Sequence, residues 1–259
     1  MAGGIFCLFF PSPCRICTSP LEHAGRLPVC RSCLEAASRP PHAPACVRCG
    51  RARDVSNRDS DPAAQGCNYC RAYPPNYDSA ASALGYSGTA REIILLLKFQ
   101  KVRTAAQWLA RQMAPLVPAG VDFITAVPLG RKRRRSRGFN QSELIARSLG
   151  RHAGLPYRNV LQRRRETWAQ AGLERDKRRH NVENAFLARP AETNGRRILL
   201  LDDVLTTGAT VNACAEVLKR AGAIAVHVIT ATRADLELHG LEINSTSEPS
   251  GALATPSGL

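Results

Sequence analysis

The chain has 259 residues, of which 44% are hydrophobic, so it is long enough to bury an α/β core beside a small module and is not a disordered polymer. Its 36 lysines and arginines outweigh 21 acids and give a net charge of +15, which favours polyanionic partners without naming one. The first apolar run, Ile5–Phe10, is far shorter than the ~20 residues that cross a bilayer and follows no basic segment, so we expect a cytoplasmic protein with no membrane insertion.

Eight of the 10 cysteines form four Cys-x-x-Cys pairs before residue 71. The two-residue gap lets both thiolates of a pair face one tetrahedral metal ion, and a second pair completes the shell. Consecutive pairing predicts two structural zinc ribbons, over residues 14–33 and 46–70, although a cross-braced arrangement stays open. Zinc would supply folding energy that so short a segment lacks. The predicted ligands are Cys14, Cys17, Cys30, Cys33, Cys46, Cys49, Cys67 and Cys70.

A disulfide framework is the alternative interpretation of these pairs. Repeated Cys-x-x-Cys pairs suit a metal better than mutual bridging, and we expect no secretion. Cys7 and Cys214 lie outside the pattern and are interpreted as small buried hydrophobic residues. His23 and His42 lie between the pairs and are expected in exposed loops.

Beyond residue 76 the pattern changes to alternating strands and helices, which is typical of a parallel α/β sheet. We predict a strand over 80–86, helices over 89–98 and 104–113, and a second strand over 121–128. The carboxyl ends of such strands meet at one edge of the sheet, where open α/β folds bind ligands.

Six of the seven residues from Arg131 to Arg137 are basic, and they directly follow the second predicted strand. Such a run is most often a solvated, mobile face, and its composition does not distinguish pyrophosphate from nucleic acid as its target. Its position would let it fold over an anion at the strand end. Arg137 is a bidentate phosphate donor and Gly138 a flexible joint before a helix predicted over 142–152.

A second basic cluster occupies residues 175–180, directly after Gln170-Ala-Gly-Leu173. It is either the exposed side of a helix or part of an anion groove shared with the first basic run. The sequence leaves both interpretations open.

The apolar run Ile198–Leu201 predicts a central parallel strand that is covered on both faces. Asp202 and Asp203 follow it, then the small residues Thr206–Thr210, and then a helix predicted over 211–222. A loop at a helix N-terminus presents free N–H groups and the positive end of the helix dipole, which suit a phosphate. Nearby carboxylates can accept hydrogen bonds from vicinal ribose hydroxyls or approach a metal ion. The alternative is an ordinary helix entry with capping threonines.

Strand, two acids, small-residue loop and helix in this order resemble the phosphoribosyl pyrophosphate (PRPP) motif of type I phosphoribosyltransferases. The resemblance implies an α/β fold, a type I phosphoribosyltransferase-like parallel sheet flanked by helices, behind a small N-terminal zinc-ribbon module. It implies that Asp202 and Asp203 hold the ribose hydroxyls and act with Arg137 in catalysis, while Mg²⁺ accompanies PRPP. The implied PRPP-binding residues are Asp202, Asp203, Thr206, Thr207, Gly208, Ala209, Thr210, Arg131 and Lys132.

Further motifs extend the resemblance beyond this loop. They are the four cysteine pairs, Lys98-Phe99, Val127-Pro128, Arg137-Gly-Phe-Asn-Gln141, Gln170-Ala-Gly-Leu173, Asn181-Val182 and Leu201–Thr210. Together, over about residues 10–233, they resemble the ComF family of competence protein F or amidophosphoribosyltransferase-like proteins. The resemblance implies PRPP binding, a role in natural DNA uptake, and transfer of phosphoribosyl to an acceptor that the sequence does not name. The implied partners are single-stranded DNA and a DNA-uptake helicase or processing proteins.

Three regions are therefore predicted: a double zinc ribbon over 10–75, a phosphoribosyltransferase-like domain over 76–235 and a disordered tail over 236–259. The second region closes with a strand predicted over 223–231. The alternative function is a non-catalytic protein of the same fold that binds single-stranded DNA or acts as a scaffold. Turnover and oligomeric state stay open.

Overall fold

The computed structural model of the protein describes residues 12–21, 26–38, 45–52, 66–164 and 184–234. Several predictions concern residues outside that part of the chain. They concern Cys7, His23, His42, the segment 170–182 and the tail over 236–259.

Four parallel strands form the central sheet, and two short strands form a separate antiparallel pair. The strands are β1 (Ser79–Gly85), β2 (Phe123–Ala126), β3 (Leu161–Arg163), β4 (Phe186–Ala188), β5 (Arg197–Leu205) and β6 (Ala225–Arg233). The order in the central sheet is β1-β6-β5-β2, and β3 pairs with β4. The strand that carries both acids, β5, thus has a partner on each side.

Eight helices lie in the described residues. They are α1 (Arg31–Ala37), α2 (Asn68–Ala72), α3 (Gly88–Lys98), α4 (Ala105–Met113), α5 (Arg131–Arg137), α6 (Gln141–Ala153), α7 (Pro190–Thr193) and α8 (Ala209–Arg220), with a 3₁₀ turn over Ala114–Leu116. The buried hydrophobic residues of α3 other than Leu96 share one cluster with those of α4 and α6, whereas those of α8 belong to another together with Phe186 of β4.

The two clusters occupy opposite faces of the sheet. Leu199 and Leu201 of β5 pack in the cluster with α3, α4 and α6, while Ile198 and Leu200 pack in the cluster with α8. All four side chains are fully buried. Because successive residues of a strand point to opposite faces, a strand that is covered on both sides needs an unbroken apolar run. The predicted central strand is therefore present.

The strand and helix ends differ from the predicted ones by up to four residues. The largest difference is at β5, which continues through both acids to Leu205, because Asp202 and Val204 still pair with Thr230 and Thr232 of β6. The acids thus lie within the strand rather than after it. The basic run forms helix α5, which has no buried residue, so it is a solvated face in helical form.

The cysteines form two groups: the first comprises Cys14, Cys17, Cys30 and Cys33, and the second comprises Cys46, Cys49, Cys67 and Cys70. The first group packs against α3, where Cys14 and Cys33 share a buried cluster with Leu96. The second group contacts the sheet, because the guanidinium of Arg233 at the end of β6 donates to the carbonyl oxygen of Cys49 over 2.8 Å. The predicted domain boundary at residue 76 stays a prediction.

No helix among the described residues has the length and apolar character needed to span a bilayer. The longest, α6, has 13 residues. A spanning helix needs about 20 apolar residues.

Replacing Gly50 should test the contact between the second group and the sheet. Gly50 has φ +71°, and an added Cβ would lie 2.7 Å from the carbonyl oxygen of Ala80 on β1. A left-handed backbone costs an L-residue about 1–2 kcal/mol, and this backbone clash adds to it. We expect Gly50→Ala to lower the free energy of unfolding by about 3 kcal/mol, measured by urea denaturation.

Gly120→Ala is the matched control, because Gly120 has φ +75° and open space around the added Cβ. It should cost only about 1–2 kcal/mol. Equal losses in the two variants would show that the close approach at Gly50 contributes nothing.

Candidate functional site

The two acids on β5 are each held by a different helix. The Oδ1 atom of Asp202 accepts hydrogen bonds from the Ser142 hydroxyl at 2.8 Å and from the backbone N–H of Asp203 at 2.9 Å. The Nζ atom of Lys98 lies 3.1 Å from Oδ1 of Asp203, and both side chains are mostly withdrawn from solvent. Lys98 is the last residue of α3 and Ser142 lies in the first turn of α6, so three elements meet at this edge of the sheet.

The environment of Asp202 disfavours its charge. Burial raises the pKa of Asp202 to about 7, the neighbouring charge of Asp203 acts in the same direction, and the Ser142 hydroxyl, the Asp203 N–H and Lys98 oppose the rise only in part. A carboxyl with such a pKa is about half protonated at neutral pH. Strongly shifted carboxyls are enriched at functional sites.

The loop after β5 connects the acids to the start of α8. It comprises Thr206, Thr207 and Gly208, and Gly208 is the N-cap residue of α8 with φ +80°. Ala209 N–H donates to the Thr207 hydroxyl over 3.4 Å, and Thr210 lies in the first helical turn. The first N–H groups of a helix have no partner within it, and the dipole makes this end positive. We call Thr206–Thr210 the phosphate loop, since this arrangement suits a phosphate.

Arg137 lies at the end of α5, within electrostatic reach of the acids. Burial lowers the pKa of Arg137, and the charge of Asp203 opposes that shift. Its guanidinium stacks over the Phe99 ring at 5.3 Å and donates to Oε1 of Gln141 over 3.1 Å. The buried Nε2 atom of Gln141 has no hydrogen-bond partner among the described residues. An unpaired buried donor beside an arginine suits an anionic or carbonyl-bearing ligand.

Asn140 fixes the start of α6 and therefore the position of Ser142. Its side chain accepts from the Ser142 N–H over 3.2 Å and donates to the Val127 carbonyl over 2.9 Å. The second of these bonds joins α6 to the chain that leaves β2. Asn140 is thus the N-cap residue of α6.

Two of the predicted PRPP-binding residues lie at the far end of α5 from Arg137. Arg131 and Lys132 are exposed at the start of α5, about 9 Å along the helix axis from Arg137. Their assignment to PRPP stays a prediction. Two residues that contact the acids, Lys98 and Ser142, have no role predicted from the sequence. Lys98 belongs to a motif of the family resemblance, whereas no local pattern marks Ser142 as a site residue.

The structure groups the cysteine pairs consecutively rather than in a cross-braced arrangement. Within each group all four sulfur atoms lie within 4.8 Å of one another, and the Cys49 and Cys67 sulfurs are 3.7 Å apart. A tetrahedral ion with metal–sulfur bonds of about 2.3 Å requires sulfur atoms about 3.8 Å apart. Both groups therefore fit the geometry of a four-cysteine metal site.

Hydrogen bonds to sulfur lower the pKa of two of these thiols, which favours the thiolate form. Burial raises the pKa of Cys46, but hydrogen bonds from the N–H groups of Cys49, Arg48 and Cys67 lower it further, to about 6. The Ser32 hydroxyl and the Cys33 N–H lower the pKa of Cys30 to about 6. The thiolate is the form that binds metal.

A comparison with known families agrees with this geometry. The family described as Phosphoribosyl transferase domain matches residues 135–240, a stretch that includes both acids and the phosphate loop. The chain is therefore a protein of the type I phosphoribosyltransferase fold, with two four-cysteine groups that fit an N-terminal zinc-ribbon module.

Curated relatives match most of the chain. Competence protein F of Haemophilus influenzae is 31% identical over 186 residues, which cover 66% of this chain and 80% of the relative. The DNA utilization protein YhgH of Escherichia coli K12 is 32% identical over 233 residues, which cover 85% of this chain and 96% of the relative. The chain belongs to the ComF family.

Solved structures overlap with part of the chain. Glutamine PRPP amidotransferase from B. subtilis, complexed with ADP and GMP, covers 50% of this chain and 26% of its own at 24% identity and a TM-score of 0.38. Adenine phosphoribosyltransferase from Thermoanaerobacter pseudethanolicus covers 56% of this chain and 74% of its own at 19% identity and a TM-score of 0.35. The family assignment comes from the sequence relatives.

The raised pKa of Asp202 predicts how stability depends on pH. A carboxyl whose pKa is near 7 when folded and about 3.9 when unfolded stabilises the protein in acid and loses that contribution as pH rises through 7. Between pH 8 and pH 5 we expect wild type to gain about 2.6 kcal/mol of unfolding free energy relative to Asp202→Asn. Urea denaturation at several pH values measures this difference, and a difference independent of pH would contradict the prediction.

Proposed function

We propose that the protein binds Mg-PRPP, or a related ribose phosphate, at the phosphate loop and the acid pair, and transfers phosphoribosyl to an acceptor. The observation that carries this proposal is the juxtaposition of Asp202 and Asp203 with a loop that opens a helix. The phosphate loop would hold the 5′-phosphate. The acids would accept hydrogen bonds from the ribose hydroxyls.

The proposed reaction breaks the bond between ribose C1 and the pyrophosphate oxygen. Pyrophosphate leaves with the electron pair, and the sugar carries positive, oxocarbenium-like charge until the acceptor's nucleophile bonds to C1 and releases its proton. The carboxylates favour the cationic sugar, whereas Arg137 and Lys98 favour the leaving pyrophosphate. Bound Mg²⁺ would add charge stabilisation on the pyrophosphate.

Binding of such a ligand would change the hydrogen-bond partners of Asp202 and Asp203. Lys98 pairs with Asp203 in the structure, and Ser142 with Asp202. Ribose hydroxyls would replace part of these contacts and release the Lys98 ammonium toward phosphate oxygens. The pair of helices that carries Lys98 and Ser142 would thereby position both ends of the ligand.

Calorimetry with Mg-PRPP tests the binding site. We expect the double variant Asp202→Asn, Asp203→Asn to bind at least ~10-fold more weakly than wild type, because hydrogen bonds to charged groups contribute about 1.5–3 kcal/mol each. Asp122→Asn is the matched control, since Asp122 contacts Arg197 at the opposite end of β5. Equal affinity in wild type and the double variant would remove this assignment.

Transfer is tested separately from binding. Purified protein is incubated with Mg-PRPP and a panel of nucleobases, and pyrophosphate release is measured. Release with one base identifies the acceptor class. Binding without release for any acceptor would leave the ligand site in place and remove the transferase activity.

The biological part of the proposal comes from the relatives. One is named for competence and another for DNA utilization, and both match the chain over most of their length. We therefore propose a role in DNA uptake, in the cytoplasm, with a DNA-uptake helicase or processing proteins as partners. Zinc is the proposed ion of both cysteine groups, because a four-thiolate tetrahedron suits it.

A second candidate function is supported by the exposed face of α5. Its residues Arg131–Ser136 are all exposed, and five of these six carry positive charge. Such a helix can contact phosphates of single-stranded DNA without reading sequence. This function uses a different surface from the acid pair and is compatible with it.

Filter binding to single-stranded DNA at several salt concentrations tests this function. The logarithm of affinity should fall with the logarithm of salt by about 0.7 per neutralised phosphate. Replacing Arg133, Arg134 and Arg135 by glutamine should reduce that slope by about 2. Arg189→Gln is the control, because Arg189 pairs with Glu192 on α7. An unchanged slope in the triple variant would exclude α5 as the contact.

A further inference from the structure

The geometry points to the second cysteine group as a positioning element for the phosphate loop. Chain segments next to this group contact the carbonyl of Thr207 in the loop and the side chain of Asn212 near the start of α8. The inference rests on the proposed function of the loop in holding a phosphate. It assigns a role in ligand binding to a module that is otherwise only structural.

The first contact comes from a helix whose position depends on the cysteines. Helix α2 has only five residues, begins directly after Cys67 and contains Cys70. So short a helix is not stable alone in water. Its Tyr69, which lies between the two ligands, donates its hydroxyl to the Thr207 carbonyl over 3.4 Å. The metal site therefore determines where this hydroxyl meets the phosphate loop.

The second contact joins the group to the strand that enters the loop. The buried Arg233 side chain donates to the Cys49 carbonyl over 2.8 Å, and Arg233 pairs in the sheet with Leu205, the last residue of β5. The N–H of Ala234 also donates to the Leu205 carbonyl over 2.9 Å. The second cysteine group thus lies against the point where β5 ends and the loop begins.

The third contact reaches α8 beyond the loop. The N–H of Asn76, which follows α2 in the chain, donates to the side-chain oxygen of Asn212 over 2.7 Å. Between the two segments lies a cavity of about 160 Å³, lined among others by Tyr69, Tyr77 and Thr207. The segment after the cysteines therefore borders both the loop and the first turns of α8.

The first cysteine group makes none of the hydrogen bonds that the structure gives to the phosphate loop. Among the described residues, Cys14 and Cys33 of this group share a buried cluster with Leu21, Val29 and Leu96, of which Leu96 belongs to α3. The two groups have the same ligand chemistry but different neighbours. Loss of the second group should loosen the loop, and loss of the first should not.

Amide hydrogen exchange of the full chain tests the inference directly. In metal-loaded protein we expect Cys67→Ser to raise the exchange rate of the amides of Thr206–Thr210 at least tenfold, while Cys30→Ser leaves them unchanged. Equal acceleration in both variants would mean general unfolding and would overturn the inference. This readout needs no PRPP.

Tyr69→Phe separates positioning from folding, because it removes one hydroxyl and keeps the ring and all cysteines. We expect unchanged zinc content and melting temperature, faster exchange of the loop amides, and three- to tenfold weaker binding of Mg-PRPP. Tyr157→Phe is the matched control, since Tyr157 packs under the Arg147 guanidinium instead.

The outcomes distinguish this inference from the proposed function. If wild type does not bind Mg-PRPP, the proposed function fails, while loop exchange in Tyr69→Phe and Cys67→Ser still decides the present inference. If wild type binds and Tyr69→Phe matches it in affinity and in loop exchange, the positioning role of the second group is overturned.

Discussion

Two neighbouring carboxyl groups near the C-terminal end of a central strand are the constraint on which the rest of this structure depends. Like charges so close repel each other, and burial deprives them of water. The fold offsets that cost with a side-chain partner for each acid from a neighbouring helix: Ser142 for Asp202 and Lys98 for Asp203. These partners come from α6 and α3, so the acids also determine where two helices must end or begin. The capping bonds of Asn140 serve the same arrangement.

The two cysteine groups contact loops and helix ends next to the edge of the sheet that carries the acids. The first group packs on α3, the helix that carries Lys98, and the second lies behind the phosphate loop. We propose that each group holds in place the element that it contacts. Metal coordination suits this role, because it gives rigidity to segments with too few apolar residues to form a core of their own.

The strands, helices and cysteine pairs could be predicted from local sequence patterns, whereas side-chain contacts between residues far apart in the chain could not. The run Ile198–Leu201 predicted β5 because a doubly covered strand must be apolar at every position. The spacing of the cysteines predicted metal sites, but their grouping needed three-dimensional proximity. The contacts of Ser142 with Asp202 and of Tyr69 with Thr207 join residues 60 and 138 positions apart, and no local pattern encodes them. β5 extends past its apolar run because pairing with β6 overrides the low strand propensity of aspartate.

The strand order has a consequence for how the chain is made. In the central sheet β1 has β6 as its neighbour, and the paired residues Ser79 and His227 are 148 positions apart. Each cysteine group, in contrast, closes within about 25 residues and can fold soon after it leaves the ribosome. The earliest strand must therefore wait, unpaired, for nearly the whole domain to be synthesised. An unfinished chain would carry folded metal modules beside an exposed strand edge, and that edge is the part of the nascent protein most open to aggregation.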